Sequence, residues 1–114
     1  MKLTCLQENL KQGLNIVSHI AAKTTSLPIL NNVLLQAEEG TLKLVTTNLE
    51  VGISCLVRAK IEKKGSYTVN SKLVNDYVNL LPNETVEVNL EDDFLKINCL
   101  NIVVLLSIQV KSPD

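Results

Sequence analysis

Two successive stretches of this chain show the same order of hydrophobic periodicities. In residues 1–61 a short strand pattern precedes apolar residues at helical spacing, and further strand patterns follow. The same order returns in residues 65–110. We interpret this as an internal structural repeat, because the order of elements recurs although the residues do not. Two such units can pack their helices together and carry their strands in sheets on the outside, which predicts an α+β fold.

The first half-repeat predicts one helix among four strands. Apolar residues recur every three or four positions from about residue 7 to residue 20, which favours an amphipathic helix although Gly13 lies inside it. Pro28 ends a break at residues 24–28 because proline lacks a backbone N–H and keeps the preceding residue extended. The predicted strands of this half are residues 1–5, 29–37, 41–47 and 51–61.

The second half-repeat predicts a shorter helix. Ser71 is the predicted N-cap, and Pro82 ends the segment. We expect Val74, Tyr77, Val78 and Leu81 to form the apolar face of this helix. The predicted strands of this half are residues 66–70, 85–90, 94–99 and 101–110.

Composition restricts the class of protein. At 114 residues the chain fits a single domain, and 46% hydrophobic residues favour a folded core. The three cysteines are odd in number and widely separated, which indicates a reducing cytoplasm and not a disulfide framework. Neither a signal-peptide hydrophobic region nor a run long enough to span a bilayer is present. We therefore expect a cytoplasmic protein that does not enter a membrane.

Catalytic and cofactor sites find little support in the sequence. The isolated glycines form no phosphate-binding loop, and the single histidine, His19, has no second histidine with which to share a metal. A thiol enzyme would need a reactive cysteine near His19, but two of the three cysteines lie in apolar strand patterns. The acidic residues 91–93 are typical of a solvated hairpin turn. We therefore expect no enzyme activity, no metal and no cofactor.

The predicted solvent faces of the two helices are poor in acidic residues. The first stripe contains Gln7, Lys11, Asn15 and Ser18, and the second contains Lys72, Asn75 and Asn79. Lysine and amide side chains contact phosphate oxygens without distinguishing bases, which suits non-specific binding of duplex DNA. The net charge of −1 gives no overall basic surface, so ordinary solvated helix faces explain the same pattern.

Three segments resemble the first domain of bacterial beta sliding clamps, the beta subunit of DNA polymerase III. Residues 26–35 read SLPILNNVLL, close to the family's T-L-P-I-L-x-N-x-L-L. Residues 40–50 read GTLKLVTTNLE, and residues 69–82 read VNSKLVNDYVNLLP, which resembles the family's second helix and its final Leu-Pro. The agreement extends from residue 1 to about residue 98.

The resemblance implies a DNA-clamp fold, with paired helices facing a central hole and antiparallel sheets outside. It implies a processivity factor in DNA replication that encircles double-stranded DNA and works with DNA polymerase III and the clamp loader. It places DNA-facing basic residues in the loop before the L-P-I-L strand and at the start of the second helix, where Lys23 and Lys72 lie. Lys23 is displaced by about one position from the basic residue of some family members.

Two departures from the family pattern leave alternatives open. Family clamps have three such domains per chain and close as head-to-tail dimers, whereas this chain supplies one. Residues 100–108 are apolar where the family places basic and aromatic residues, and the family's subunit contact uses this strand with the second helix. The alternatives are a truncated or frame-altered clamp fragment that cannot close a ring, and an α+β domain that binds a partner, including a second copy, through this strand.

Overall fold

The computed structural model describes residues 1–22, 32–47, 51–108 and 110–111, which form two α helices and ten β strands. The helices are α1 (Gln7–Ala22) and α2 (Ser71–Leu80). The strands are β1 (Lys2–Leu6), β2 (Asn32–Glu38), β3 (Thr41–Thr47), β4 (Gly52–Arg58), β5 (Lys60–Lys63), β6 (Gly65–Asn70), β7 (Thr85–Glu91), β8 (Phe94–Cys99), β9 (Ile102–Ser107) and β10 (Val110–Lys111).

The order of elements from β1 to β5 recurs from β6 to β10, with one helix after the first strand of each set. The strands form two antiparallel sheets, in the orders β5-β1-β7-β8-β9 and β10-β6-β2-β3-β4. Replacing each strand by its counterpart in the other half converts one sheet into the other. The fold therefore has internal twofold symmetry at the level of topology.

Each sheet contains strands from both halves of the sequence. The first strand of each half pairs with the first hairpin strand of the other, so that β1 lies beside β7 and β6 lies beside β2. The register is continuous from Lys2 opposite Asn89 to Leu6 opposite Thr85. The halves are therefore interleaved and not merely packed side by side.

Two segments that the sequence predicts as single strands are each divided between the sheets. The predicted strand 51–61 consists of β4 in one sheet and β5 in the other, with buried Ala59 between them. The predicted strand 101–110 consists of β9 and β10, which also belong to different sheets. Each division carries the chain around an edge of the core and joins the two sheets.

The core lies between the sheets and the inner faces of the helices, and it is almost entirely aliphatic. Strands alternate buried and exposed residues, so that Leu3, Val86 and Leu95 are fully buried while their neighbours along the strand are not. From the helices, Leu10, Leu14 and Val17 enter the core on α1, and Val74 and Val78 enter it on α2. This arrangement leaves the opposite faces of both helices in solvent.

The start of α2 differs by one residue from the prediction. The N-cap is Asn70, not Ser71, because the Asn70 side chain accepts a hydrogen bond of 3.0 Å from the Leu73 backbone N–H. Ser71 is the first helical residue and is buried. Tyr77 was expected on the apolar face with Val74, Val78 and Leu81, but it is 45% exposed, because helical geometry places it at the edge of the face that these three buried residues define.

Candidate nucleic-acid interface

The solvent faces of α1 and α2 join into one surface. Asn79 on α2 donates a hydrogen bond of 3.2 Å from Nδ2 to Oδ1 of Asn15 on α1. Counted from Gln7 and from Ser71, these two asparagines are each the ninth residue of their helix. Residues at equivalent positions of the two half-repeats are therefore in direct contact. Asn79 also donates hydrogen bonds to the backbone carbonyl and Oδ1 of Asn75.

Four of the five predicted DNA-contacting residues lie on this surface. Lys11 is exposed, and Asn75 and Asn79 are half-buried. Lys72 extends into solvent with 80% of its side chain exposed, and its Nζ lies 2.8 Å from Oδ2 of Asp76 one helical turn later. The hydrogen bond from Lys72 to Asp76, with the negative charge of that carboxylate, raises the pKa of Lys72 above its usual range.

The fifth residue, Lys23, lies outside the described residues, as does most of the 26–35 motif. The side chain of His19 also lies outside the described part of the chain. The predicted role of Lys23 consequently stays a prediction.

The predicted solvent stripe of α1 was wrong at both ends. Gln7 is only 3% exposed, and its Nε2 donates a hydrogen bond of 2.7 Å to the backbone carbonyl of Val78 on α2. Ser18 is 9% exposed. Helical periodicity in fact places both residues beside the core stripe, since Leu14 lies seven residues after Gln7 and four before Ser18. Their polarity alone suggested exposure to solvent, but α2 covers the start of α1, and the Gln7 side chain finds a hydrogen-bond acceptor there. Lys11 and Asn15, between them, are exposed as predicted.

The surface is nearly neutral. The two helices carry two lysines, Lys11 and Lys72, and two carboxylates, Glu8 and Asp76. Most lysines and arginines, like most acidic residues, lie on strands and turns. Amide groups at the centre of the surface therefore supply hydrogen bonds while the net charge stays close to zero. The i,i+4 spacing of Lys72 and Asp76 is the sequence signal that could have identified Asp76 as part of this surface.

Two of the three cysteines, Cys5 and Cys99, are core residues. Cys5 is buried, and burial raises the pKa of its thiol to about 11. Cys99 is also buried, and burial together with the charge of Glu84 raises the pKa of its thiol. Both thiols are therefore protonated near neutral pH, which opposes a nucleophilic role.

The acidic residues 91–93 form a hairpin end. Glu91 pairs with Phe94 across the hairpin, which leaves Asp92 and Asp93 as the two turn residues. Glu91 makes an ion pair of 3.0 Å with Lys96, and Asp92 has a φ of 55°, which aspartate tolerates in tight turns. Within residues 1–22, 32–47, 51–108 and 110–111, no group of three or more metal-ligating side chains occurs. Among these same residues, neither helix is suited to cross a membrane.

The sequence matches a known protein family along almost its whole length. The family model described as "DNA polymerase III beta subunit, N-terminal domain" matches residues 1–110. This chain belongs to that family. The match continues through residues 100–108, where the sequence departs from the family pattern, and β9 pairs with β8 along its whole length there. The departure therefore does not interrupt the fold of this family member.

Individual relatives agree with the family assignment. The beta sliding clamp of Synechococcus elongatus is 41% identical over 95 residues, which is 82% of this chain and 25% of the relative. The beta sliding clamp of Buchnera aphidicola subsp. Rhopalosiphum padi is 33% identical over 111 residues, 94% of this chain and 30% of the relative.

Solved structures show the same clamp fold. The Caulobacter crescentus pol III beta structure superposes with a TM-score of 0.89 at 28% identity, covering 96% of this chain and 30% of that one. The DNA polymerase III subunit beta of Pseudomonas aeruginosa gives a TM-score of 0.88 at 29% identity, again with 96% of this chain covered and 30% of the other. The chain thus spans between about a quarter and a third of the length of these relatives.

Proposed function

We propose that this chain is the N-terminal domain of a replicative sliding clamp, a processivity factor that holds a DNA polymerase on duplex DNA by encircling it. Membership of the beta-subunit family supports this function, and the fold supplies the surface that it needs. The observation that carries the proposal is the Asn15–Asn79 contact, because it merges the solvent faces of both helices into one hydrogen-bonding surface. We assign this domain no catalytic step, since a clamp acts by topological linkage.

Lys11, Lys72, Asn75 and Asn79 are proposed to contact DNA phosphates from this surface, and Lys23 is proposed as a further phosphate contact on the sequence resemblance alone. These contacts are non-specific, because lysine and amide groups bind phosphate oxygens without reading base edges. A nearly neutral surface suits this role, since a strongly basic one would hold the duplex in place. We propose double-stranded DNA, DNA polymerase III and the clamp loader as partners, and the cytoplasm as the location.

A titration with duplex DNA tests the proposed surface. Backbone amide signals of the ¹⁵N-labelled chain are recorded at low salt with two 20-base-pair duplexes of unrelated sequence. We expect both duplexes to perturb the same residues of α1 and α2, and the perturbation to disappear as salt is raised. Replacement of Lys72 by alanine should lower the log-log salt slope of binding by about one unit. Perturbation confined to the outer sheet faces, or an unchanged slope, would contradict the assignment.

A second role, pairing with another polypeptide, is favoured by β9. This strand is at the edge of its sheet, it carries no charged residue, and its Ile102, Val103 and Leu105 side chains are 38%, 53% and 55% exposed. Unprotected apolar edges of this kind accept a further strand. In a clamp this surface is proposed to form the contact between subunits of a homodimer.

Light scattering after size-exclusion chromatography, with and without circular duplex DNA, tests this second role. We expect a mass above that of one chain, and we expect Val103→Lys to reduce it to the monomer mass. Ser54→Lys, an exposed change on β4, the corresponding edge strand of the other sheet, is the matched control. A monomer mass at every protein concentration would contradict self-pairing. If Val103→Lys leaves the mass of the oligomer unchanged, the contact between chains lies on another surface.

A further inference from the structure

Lys72 has a competitor for phosphate on its own helix. Its Nζ lies 2.8 Å from Oδ2 of Asp76, and both groups reach solvent, with side-chain exposures of 80% and 52%. The inference below rests on the proposed DNA contact of Lys72. If that contact exists, a DNA phosphate must approach an ammonium group that is already hydrogen-bonded to a carboxylate.

The Lys72–Asp76 ion pair differs little in free energy from the states in which water or phosphate replaces Asp76 at Lys72. Exposed pairs of this kind contribute little to stability, because water and salt screen both charges. The order of the two residues is also the less favourable one, since acid before base at i,i+4 is better than the reverse. A phosphate can therefore displace the Asp76 carboxylate from Lys72, and Asp76 can recapture the ammonium group when the phosphate moves away.

Asp76 also sets the charge of the surface. With Glu8 and Asp76 opposing Lys11 and Lys72, the two helices are neutral, and removal of Asp76 would leave one net positive charge beside the Asn15–Asn79 contact. The negative charge of Asp76 lies within one helical turn of the proposed phosphate contact, where it repels phosphate as well as binding Lys72.

We propose that Asp76 is a positioning residue of the DNA contact, which holds Lys72 between encounters and limits the time that Lys72 spends on any one phosphate. The ammonium group alternates between the Asp76 carboxylate and successive phosphates as the duplex passes. No covalent bond is made or broken in this exchange. The carboxylate thus weakens the static contact and favours movement along the DNA.

Asp76→Asn is the decisive variant, and Glu87→Gln is its control. Both remove one negative charge, but Glu87 is exposed on β7, on the sheet face opposite to buried Val86 and Val88 and so away from the helices. Binding to a fluorescent duplex is measured by anisotropy over a range of salt concentrations, for the wild-type chain, both variants and the combinations of each with Lys72→Ala.

We expect Asp76→Asn to raise affinity several-fold at low salt and to steepen the log-log salt slope by up to about one unit, with Glu87→Gln close to wild type. In the Lys72→Ala background the effect of Asp76→Asn should shrink to the smaller part that comes from lost repulsion between the carboxylate and phosphate. Equal effects of Asp76→Asn and Glu87→Gln would overturn the proposal, and so would an Asp76→Asn effect that is undiminished without Lys72.

The variants distinguish the proposed role of Asp76 from the proposed DNA contact of Lys72. If Lys72→Ala lowers affinity while Asp76→Asn does nothing, the DNA contact stands and the role of Asp76 is refuted. If Lys72→Ala itself leaves affinity and slope unchanged, the proposed contact of Lys72 is wrong, and the inference fails with it. Thermal unfolding of each variant checks that the exposed substitutions leave the fold intact.

Discussion

Gly13 shows how one residue sets the distance between a helix and a sheet. A Cβ atom at this position would lie 2.8 Å from Cγ2 of Val57 and 2.9 Å from Cδ1 of Leu44, closer than such atoms pack. The absence of a side chain therefore allows α1 to lie directly on β3 and β4. This explains why a glycine, which is a poor helix former, stands in the middle of a helix.

Gly13→Ala should destabilise the protein even though alanine favours helix. Overpacking typically costs about 1–3 kcal/mol, whereas the gain in helix propensity is about 1 kcal/mol, so we expect the free energy of unfolding to fall by about 1 kcal/mol, the midpoint of the difference. Urea denaturation followed by circular dichroism measures the change. The exposed neighbouring substitution Gln12→Ala is the control, and it should leave stability nearly unchanged. Equal or greater stability of Gly13→Ala would show that α1 is not held this close to the sheet.

Leu100 is the second residue whose backbone is unusual. It has a φ of 54° in the two-residue turn between β8 and β9, and its side chain is 70% exposed. Left-handed backbone costs an ordinary L-residue about 1–2 kcal/mol, and asparagine adopts it more readily than leucine. Leu100→Asn should therefore raise the free energy of unfolding by about 0.5–1 kcal/mol, because it recovers part of that backbone cost.

Thermal unfolding tests the Leu100 prediction, with Leu56→Asn as the control. Leu56 is similarly exposed at 67%, but it lies in a strand without positive φ, where asparagine is a poor substitute. We expect the unfolding temperature to rise for Leu100→Asn and to fall or stay unchanged for Leu56→Asn. A lower midpoint for Leu100→Asn would mean that the leucine side chain contributes packing that outweighs the backbone strain.

At the scale of elements, the start of α2 depends on Asn70. The hydrogen bond from the Leu73 N–H to Asn70 Oδ1 satisfies one of the unpaired donors of the first turn. Asn70→Ala should lower the free energy of unfolding by about 1 kcal/mol, whereas Asn70→Asp keeps the acceptor and should retain most of the stability. Denaturant titration of the two variants measures the difference. Indistinguishable losses for the two substitutions would show that the cap contributes nothing and that Asn70 matters only as a strand residue.

At the scale of the whole molecule, interleaved halves predict mutual dependence. Without the second half, β1 loses β7 and β2 loses β6, so both sheets are broken at their centres. We expect residues 1–64 and residues 65–114 to be largely unfolded when produced separately, and to regain the α+β circular dichroism spectrum when mixed. Cooperative unfolding of either half alone would contradict this, since it would require a stable sheet without the exchanged strand.

The sequence by itself determined the local elements. Strands alternate every two residues and amphipathic helices repeat about every 3.6, so β3, β8 and both helices fall close to the predicted segments. The exposure of Lys11, Asn15 and Lys72 follows from the same periodicity. Short motifs that resemble those of a known family indicate the clamp fold that the solved structures show.

Only the tertiary structure decided which elements meet. Contacts between residues far apart in sequence decide three features: the exchange of β1 and β6 between the halves, the placement of β4 and β5 in different sheets, and the burial of Gln7. Local periodicity reports which face of an element is apolar, but it carries no information about the neighbour that covers that face. Gln7 is a polar residue beside the apolar face of α1, and it can be buried because a carbonyl of α2, 71 residues away, accepts its hydrogen bond.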